Sequence, residues 1–177
     1  MKNLTEKGRV FFDLDGTGAV FNIGVTMENL YEESYFFNLT PLSSVTTIRM
    51  MAKSRPEKIY ILSSYLEDSD YAYAEKIAWV RKHIPELPES HILLVPSGFS
   101  KRDYVKFYLG EVSESDILVD DYTKNLRDWE EEGTSVKFYN GINGKKGSEH
   151  KNSISESDNP ILNAFRLGLL LSEKGGL

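Results

Sequence analysis

Short apolar runs alternate with helical stretches along this chain, and that alternation restricts the fold more than any other feature. The runs are Val10–Phe12, Lys58–Leu62, His91–Val95, Ile117–Val119 and Val136–Tyr139. A brief apolar run bounded by turn residues suits a strand covered on both faces. Between the runs, apolar residues recur at helical spacing. Val45, Ile48, Met51 and Ala52 form one stripe within Ser43–Lys53, and Tyr73, Ile77, Val80 and Ile84 form another within Tyr71–Ile84. Ser100 and Asp103 have the spacing of a helix N-cap with an acidic partner. The helix predicted over Thr123–Glu132 meets Gly133, a residue suited to a left-handed cap. Strands that alternate with helices imply an α/β fold, a mainly parallel sheet with helical layers on both faces.

Two segments break the rhythm. Gly18 to Thr40 holds a helix-like stretch near Thr26–Tyr35 and the aromatics Tyr31, Tyr35, Phe36 and Phe37. Asn140 to Asn159 is polar and rich in Gly, Ser, Asn and Lys, which predicts a long, partly mobile loop. An amphipathic helix is expected around Ile161–Leu171, too short and too polar at Asn163 and Arg166 to span a bilayer.

The composition narrows the function. The chain has 177 residues, enough for one domain with a real core, and a formal net charge of −6. That balance argues against a general nucleic-acid binder, which usually presents a basic face. The absence of cysteine excludes disulfide frameworks, thiolate zinc sites and cysteine nucleophiles, and agrees with a reducing compartment. Met1–Lys7 lacks the apolar segment of a secretory signal. The expectation is a cytoplasmic protein with no membrane association.

Ligands of open α/β sheets bind beyond the carboxyl ends of the strands. Here those ends supply Asp13 and Asp15, Ser63 and Ser64, Lys101 shortly after the third run, and Asp120 and Asp121. Asp13 and Asp15 sit two apart, so on an extended chain both point the same way. Like charges that converge are costly unless a cation or a shared proton compensates them. Each motif also has an ordinary reading. Asp-Leu-Asp-Gly-Thr can be a surface turn, Lys101 a solvated first-turn lysine, and Asp120–Asp121 an N-cap for the next helix. Four segments delivering reactive groups to one sheet edge favour a site.

The order Asp13-Leu14-Asp15-Gly16-Thr17, Ser63, Lys101, Asp120-Asp121 resembles the haloacid dehalogenase superfamily of phosphohydrolases. That resemblance implies a Rossmann-like three-layer sandwich over residues 1–177, with a small helical cap at about 18–42 inserted after the first strand. It also implies a Mg²⁺-dependent phosphomonoesterase. Asp13 would attack phosphorus to form an aspartyl-phosphate, and Asp15 would act as acid and then base. Ser63, Ser64 and Lys101 would bind the phosphoryl group, with Arg102 a rival to Lys101. Asp13, the Asp15 backbone carbonyl and Asp121 would hold the metal, with Asp120 beside them.

Finer phrases are similar to the 5'(3')-deoxyribonucleotidase branch of cytosolic type C: Lys76-Ile77-Ala78-Trp79, Pro96-Ser97-Gly98-Phe99-Ser100-Lys101, and Asp120-Asp121-Tyr122-Thr123-Lys124-Asn125-Leu126. A nucleoside monophosphate would then be the substrate, with Tyr35, Phe36 and Phe37 either stacking on the base or packing the cap. The competing readings are a phosphatase for another small ester, such as a sugar phosphate, and a non-catalytic phosphate-binding or phospho-accepting module.

Overall fold

The computed structural model describes residues 8–22, 24–143 and 150–176. Met1–Lys7 and the stretch 144–149 of the expected loop lie outside the described residues. Six strands form one sheet: β1 (Val10–Phe12), β2 (Ile59–Tyr65), β3 (Ile92–Pro96), β4 (Ile117–Asp120), β5 (Thr134–Tyr139) and β6 (Ser153–Ser155). Their order is β3-β2-β1-β4-β5-β6, and every pairing is parallel. The helices are α1 (Ser44–Ser54), α2 (Ala72–His83), α3 (Lys101–Leu109), α4 (Thr123–Trp129) and α5 (Pro160–Glu173).

Strand alternation divides the core in two. Val10, Phe12, Ile59, Ile61, Ile117, Val119 and Phe138 pack with Ile48 of α1, Trp79 and Val80 of α2, and Leu167 and Leu171 of α5. Phe11, Tyr60, Leu62 and Leu118 face the other way, onto Val105 of α3 and Leu126 and Trp129 of α4. Adjacent strand residues thus feed opposite layers, which is why the strands read as continuous apolar runs.

The chain leaves β1 for β2 on one side and later fills β4 on the other. That reversal opens a crevice above the carboxyl ends of β1 and β4. At the opposite end, Arg9 and Asp116 clamp the strand starts. The guanidinium Nε and Nη2 donate to the Asp116 carboxylate, both at 2.9 Å, and both side chains are buried.

Several local expectations are corrected. The stretch Thr26–Tyr35 forms only a 3₁₀ turn at Glu28–Tyr31, and the described part of the 18–42 insertion carries no α-helix. It is held instead by a bridge of Ala19 to Pro41 and by side chains from the body of the domain. The 140–159 stretch is not all loop, because Ser153–Ser155 adds β6 to the sheet edge. Tyr73 is exposed, and the inward face of α2 carries Lys76 and Trp79 instead. Gly133 is not a left-handed cap: its φ is not positive, and α4 ends at Trp129. A side chain there has no room, since a Cβ would lie 2.2 Å from Trp129 Nε1. Among the described residues, no helix is long and apolar enough to cross a membrane.

Candidate active site

Strand β1 stops at Phe12, and the next five residues wrap the crevice. Leu14 stays buried and its carbonyl accepts the amides of Thr17, Gly18 and Ala19, so the loop closes on itself. Gly16 makes that closure possible. Its φ is +80°, and an added Cβ would lie 2.4 Å from Asp121 Oδ2. The first acidic loop and the second therefore touch through a residue with no side chain.

Two lysines divide the carboxylates. Lys101, at the first turn of α3, donates from Nζ to Asp13 Oδ1 at 2.6 Å and to Asp120 Oδ2 at 2.7 Å. Burial alone would lower the pKa of this lysine, but the two carboxylates outweigh it and raise it. Lys101 is thus held charged. Ser100 places it, capping α3 through the Asp103 amide at 3.1 Å as the spacing predicted. Arg102, the rival, turns away to Asp128 and Glu131 at the surface.

Lys76 was not singled out from the sequence as a site residue. It is almost wholly buried on α2, pairs with Asp15 Oδ2, and donates to the Ser64 carbonyl at 2.6 Å. Its Nζ also lies 4.6 Å from the Phe36 ring centre. Its signal was present: a lysine one residue before the Ile77 stripe, on a helix face that otherwise buries Ala72, Trp79 and Val80. Periodicity assigns only apolar positions inward, so a buried cation escapes it. Burial raises the Asp15 pKa, the Lys76 charge opposes that, and Asp13 adds to it.

The second acidic pair is split in function by its neighbours. Asp120 is fully buried and accepts from Lys101, from the Tyr122 amide at 2.7 Å and from Asn125 Nδ2 at 2.9 Å. Both readings of this residue meet here, because it braces the start of α4 while facing the site. Asp121 is reached by Asn140, whose Nδ2 donates to Asp121 Oδ2 at 3.0 Å and to the Gly16 carbonyl at 2.7 Å. Burial first, then the charges of Asp13 and Asp120, push the Asp121 pKa up to about 7. Asn140 is not among the site residues expected from the sequence, yet it ties both acidic loops together.

Asp13, Asp120 and Asp121 each offer an oxygen within 4.8 Å of the others. Among the described residues, Asp13 is bonded through Oδ1 and Asp121 through Oδ2, leaving the second oxygen of each. A crowded set of hard oxygen donors with one carboxylate driven toward neutrality fits a divalent cation. The Asp15 side chain is not in this group, since it turns to Lys76.

A pocket of about 560 Å³ joins these parts, lined by Asp13, Asp15, Ser64, Lys101 and Asp121. A smaller one of about 130 Å³ abuts it, lined by Asp15, Lys76, Ser64, Tyr35, Phe36 and other apolar residues. Ser63 lines neither; its Oγ is buried and has no hydrogen-bond partner among the described residues. The expectation for Phe37 is corrected. It lines neither pocket and faces α2, where Lys82 Nζ lies 4.5 Å from its ring centre.

A family model described as "5' nucleotidase, deoxy (Pyrimidine), cytosolic type C protein" matches residues 24–164. That span includes Ser63, Lys76, Lys101 and Asp120–Asp121 but begins after Asp13 and Asp15. No curated protein matches the chain. Among solved structures, a haloacid dehalogenase superfamily hydrolase from Ehrlichia chaffeensis is 11% identical with a TM-score of 0.56, covering 95% of this chain and 100% of that one. A D,D-heptose 1,7-bisphosphate phosphatase from Burkholderia thailandensis is 14% identical with a TM-score of 0.59, covering 93% and 99%. A haloacid dehalogenase-like phosphatase assigned to Mesorhizobium loti is 12% identical with a TM-score of 0.58, covering 94% and 85%. These three share the fold. By the family match, which takes in well over half of its residues, the chain belongs to the cytosolic type C 5' nucleotidase family and is a phosphatase.

Proposed function

We propose that this chain hydrolyses the phosphoester of a nucleoside monophosphate through an aspartyl-phosphate on Asp13. The observation that carries the reading is that Asp13 and Asp15 line one pocket while each pairs with its own lysine, Lys101 and Lys76. Lys101 sets a positive charge beside Asp13 and aims it by hydrogen bonding, and a carboxylate oxygen of Asp13 is the nucleophile. The same ammonium offsets charge on the equatorial phosphoryl oxygens. Asp15, held by Lys76, donates a proton to the departing ester oxygen and then takes one from the water that attacks the aspartyl-phosphate. Ser64 and Lys101, which line the larger pocket, contact the phosphoryl group, and Lys76 adds a positive charge beside Asp15 in the smaller one, whereas Ser63 is buried outside both.

Asp13 and Asp121, with the Asp15 backbone carbonyl and Asp120 beside them, would hold a Mg²⁺. Bound there, the ion would supply Lewis-acid charge to the phosphoryl oxygens. Residues 1–177 act as one domain with the 18–42 insertion as its cap, and Tyr35 and Phe36 face the leaving group. The apolar pocket beside Asp15 favours a nucleoside over a polyhydroxylated sugar.

A phosphate-release panel of ribo- and deoxyribonucleoside monophosphates and sugar phosphates, run with Mg²⁺ and with chelator, tests this. Mg²⁺-dependent release that is strongest with nucleotides supports it. A preference for sugar phosphates rejects the nucleotide assignment, and no release from any ester rejects catalysis in favour of a phosphate-binding module.

A further inference from the structure

The segment that carries Tyr35 and Phe36 has no α-helix and no strand of its own among the described residues, only the isolated bridge of Ala19 to Pro41 at its ends. A few side chains fasten it to the body. Tyr31 reaches Asp68 through its hydroxyl, and Trp79 Nε1 donates to the Leu39 carbonyl at 2.7 Å. Between these ties, at the aromatics themselves, stands Glu75 at the start of α2. Its carboxylate accepts three backbone amides: Ser34 on Oε1, then Phe36 at 3.0 Å and Phe37 at 3.3 Å on Oε2. Ser34 has a φ of 69°, a left-handed conformation that a residue with a side chain seldom adopts. Around that twist the amides of Ser34, Phe36 and Phe37 converge on one carboxylate, while the Tyr35 amide between them donates to the Glu32 carbonyl.

Glu75 is followed at once by Lys76, and consecutive helix residues point about 100° apart. One reaches the backbone behind the aromatics; the other reaches Asp15 and the Ser64 carbonyl and lies under the Phe36 ring. The first turn of α2 therefore sets both the acid–base carboxylate and the wall of the apolar pocket beside it.

We infer that Glu75 is a positioning residue for substrate selection, holding Tyr35 and Phe36 against the leaving group so that bulky esters are preferred over small ones. The inference builds on the phosphatase site proposed above but does not need the leaving group to be a nucleoside. Glu75 lines neither pocket and is not part of the acidic cluster, so its effect acts through the wall. Loss of the latch frees the segment to move, and the contact area offered to a bulky leaving group falls.

The test uses the full chain, its best bulky substrate from the phosphate-release panel, and methyl phosphate, whose leaving group is too small to reach the aromatics. In Glu75→Gln, and more strongly in Glu75→Ala, the ratio of kcat/KM for the bulky ester to that for methyl phosphate should fall about tenfold, mainly through KM. Amide hydrogen exchange at Ser34, Phe36 and Phe37 should quicken at least about tenfold in the same variants. Exchange unchanged from the parent overturns the latch. Faster exchange with an unchanged ratio, or an equal loss for both esters, overturns the role in selection. Whether the best substrate is a nucleotide decides the nucleotidase reading separately, so the two can fail independently.

Discussion

Asp15 and Lys76 show how much a single side chain's partner decides. Asp15 lies two residues from Asp13, yet the two carboxylates face different ammonium groups. Asp13 is buried beside Lys101, whereas Asp15 is half-buried against Lys76, its Oδ1 without a hydrogen-bond partner among the described residues. Replacing Asp15 with Asn keeps its size and its bond to Lys76 while removing the transferable proton. We expect kcat to fall by about 10² to 10⁴ while inorganic phosphate still binds, as measured by calorimetry. Turnover close to the parent's would remove Asp15 from acid–base work. Lys76→Met should lower kcat/KM by at least about tenfold, because it strips Asp15 of its partner and the pocket of a cation. Steady-state kinetics on the same ester would show it. A variant indistinguishable from the parent would make Lys76 a packing residue.

The elements were legible wherever local periodicity and burial agree. The runs at β1 to β5, the α1 stripe and the Ser100 cap all follow from side-chain spacing, since each is decided within a few residues. The departures have one cause: a distant partner overrides the local preference. Ser153–Ser155 is polar and short, and becomes a strand only because β5 offers an open edge, pairing Phe138 with Ile154. The insertion closes only isolated turns on its own carbonyls, such as Leu30 to Met27 and Tyr35 to Glu32, while Glu75 takes the amides of Ser34, Phe36 and Phe37. Gly133 is required by a tryptophan four residues earlier, not by a left-handed turn. Gly133→Ala should therefore cost about 1–3 kcal/mol in urea unfolding through a forced shift of Trp129. A cost below about 0.5 kcal/mol would mean the indole has room to yield.

The whole molecule separates stability from chemistry along the strand axis. The Arg9–Asp116 pair clamps the amino ends of β1 and β4, and the acidic site crowns their carboxyl ends. Asp116→Ala strands a buried guanidinium, so we expect a loss of about 3–5 kcal/mol in chemical unfolding. The surviving folded fraction should turn over at nearly the parent's rate in the cold. The crevice behaves in the opposite way. Chelation should abolish phosphate release, and added Mg²⁺ should restore it, with little change in far-ultraviolet circular dichroism. Release that persists in chelator would dismiss the cation.

Taken by itself, the order of residues determined that strands and helices alternate, and that Asp13, Asp15, Ser64, Lys101 and Asp120–Asp121 end up at one rim of a parallel sheet, whereas Ser63, expected there too, lies buried inside β2. That much is local, because strand direction and connection handedness carry each motif to the same edge. Only the folded chain decided which cation serves which carboxylate, that Lys76 is buried, that Asn140 spans two acidic loops, and that Phe37 turns away while Phe36 stays. Those choices depend on groups far apart along the chain competing for the same few oxygens and amides, a contest settled by three-dimensional packing.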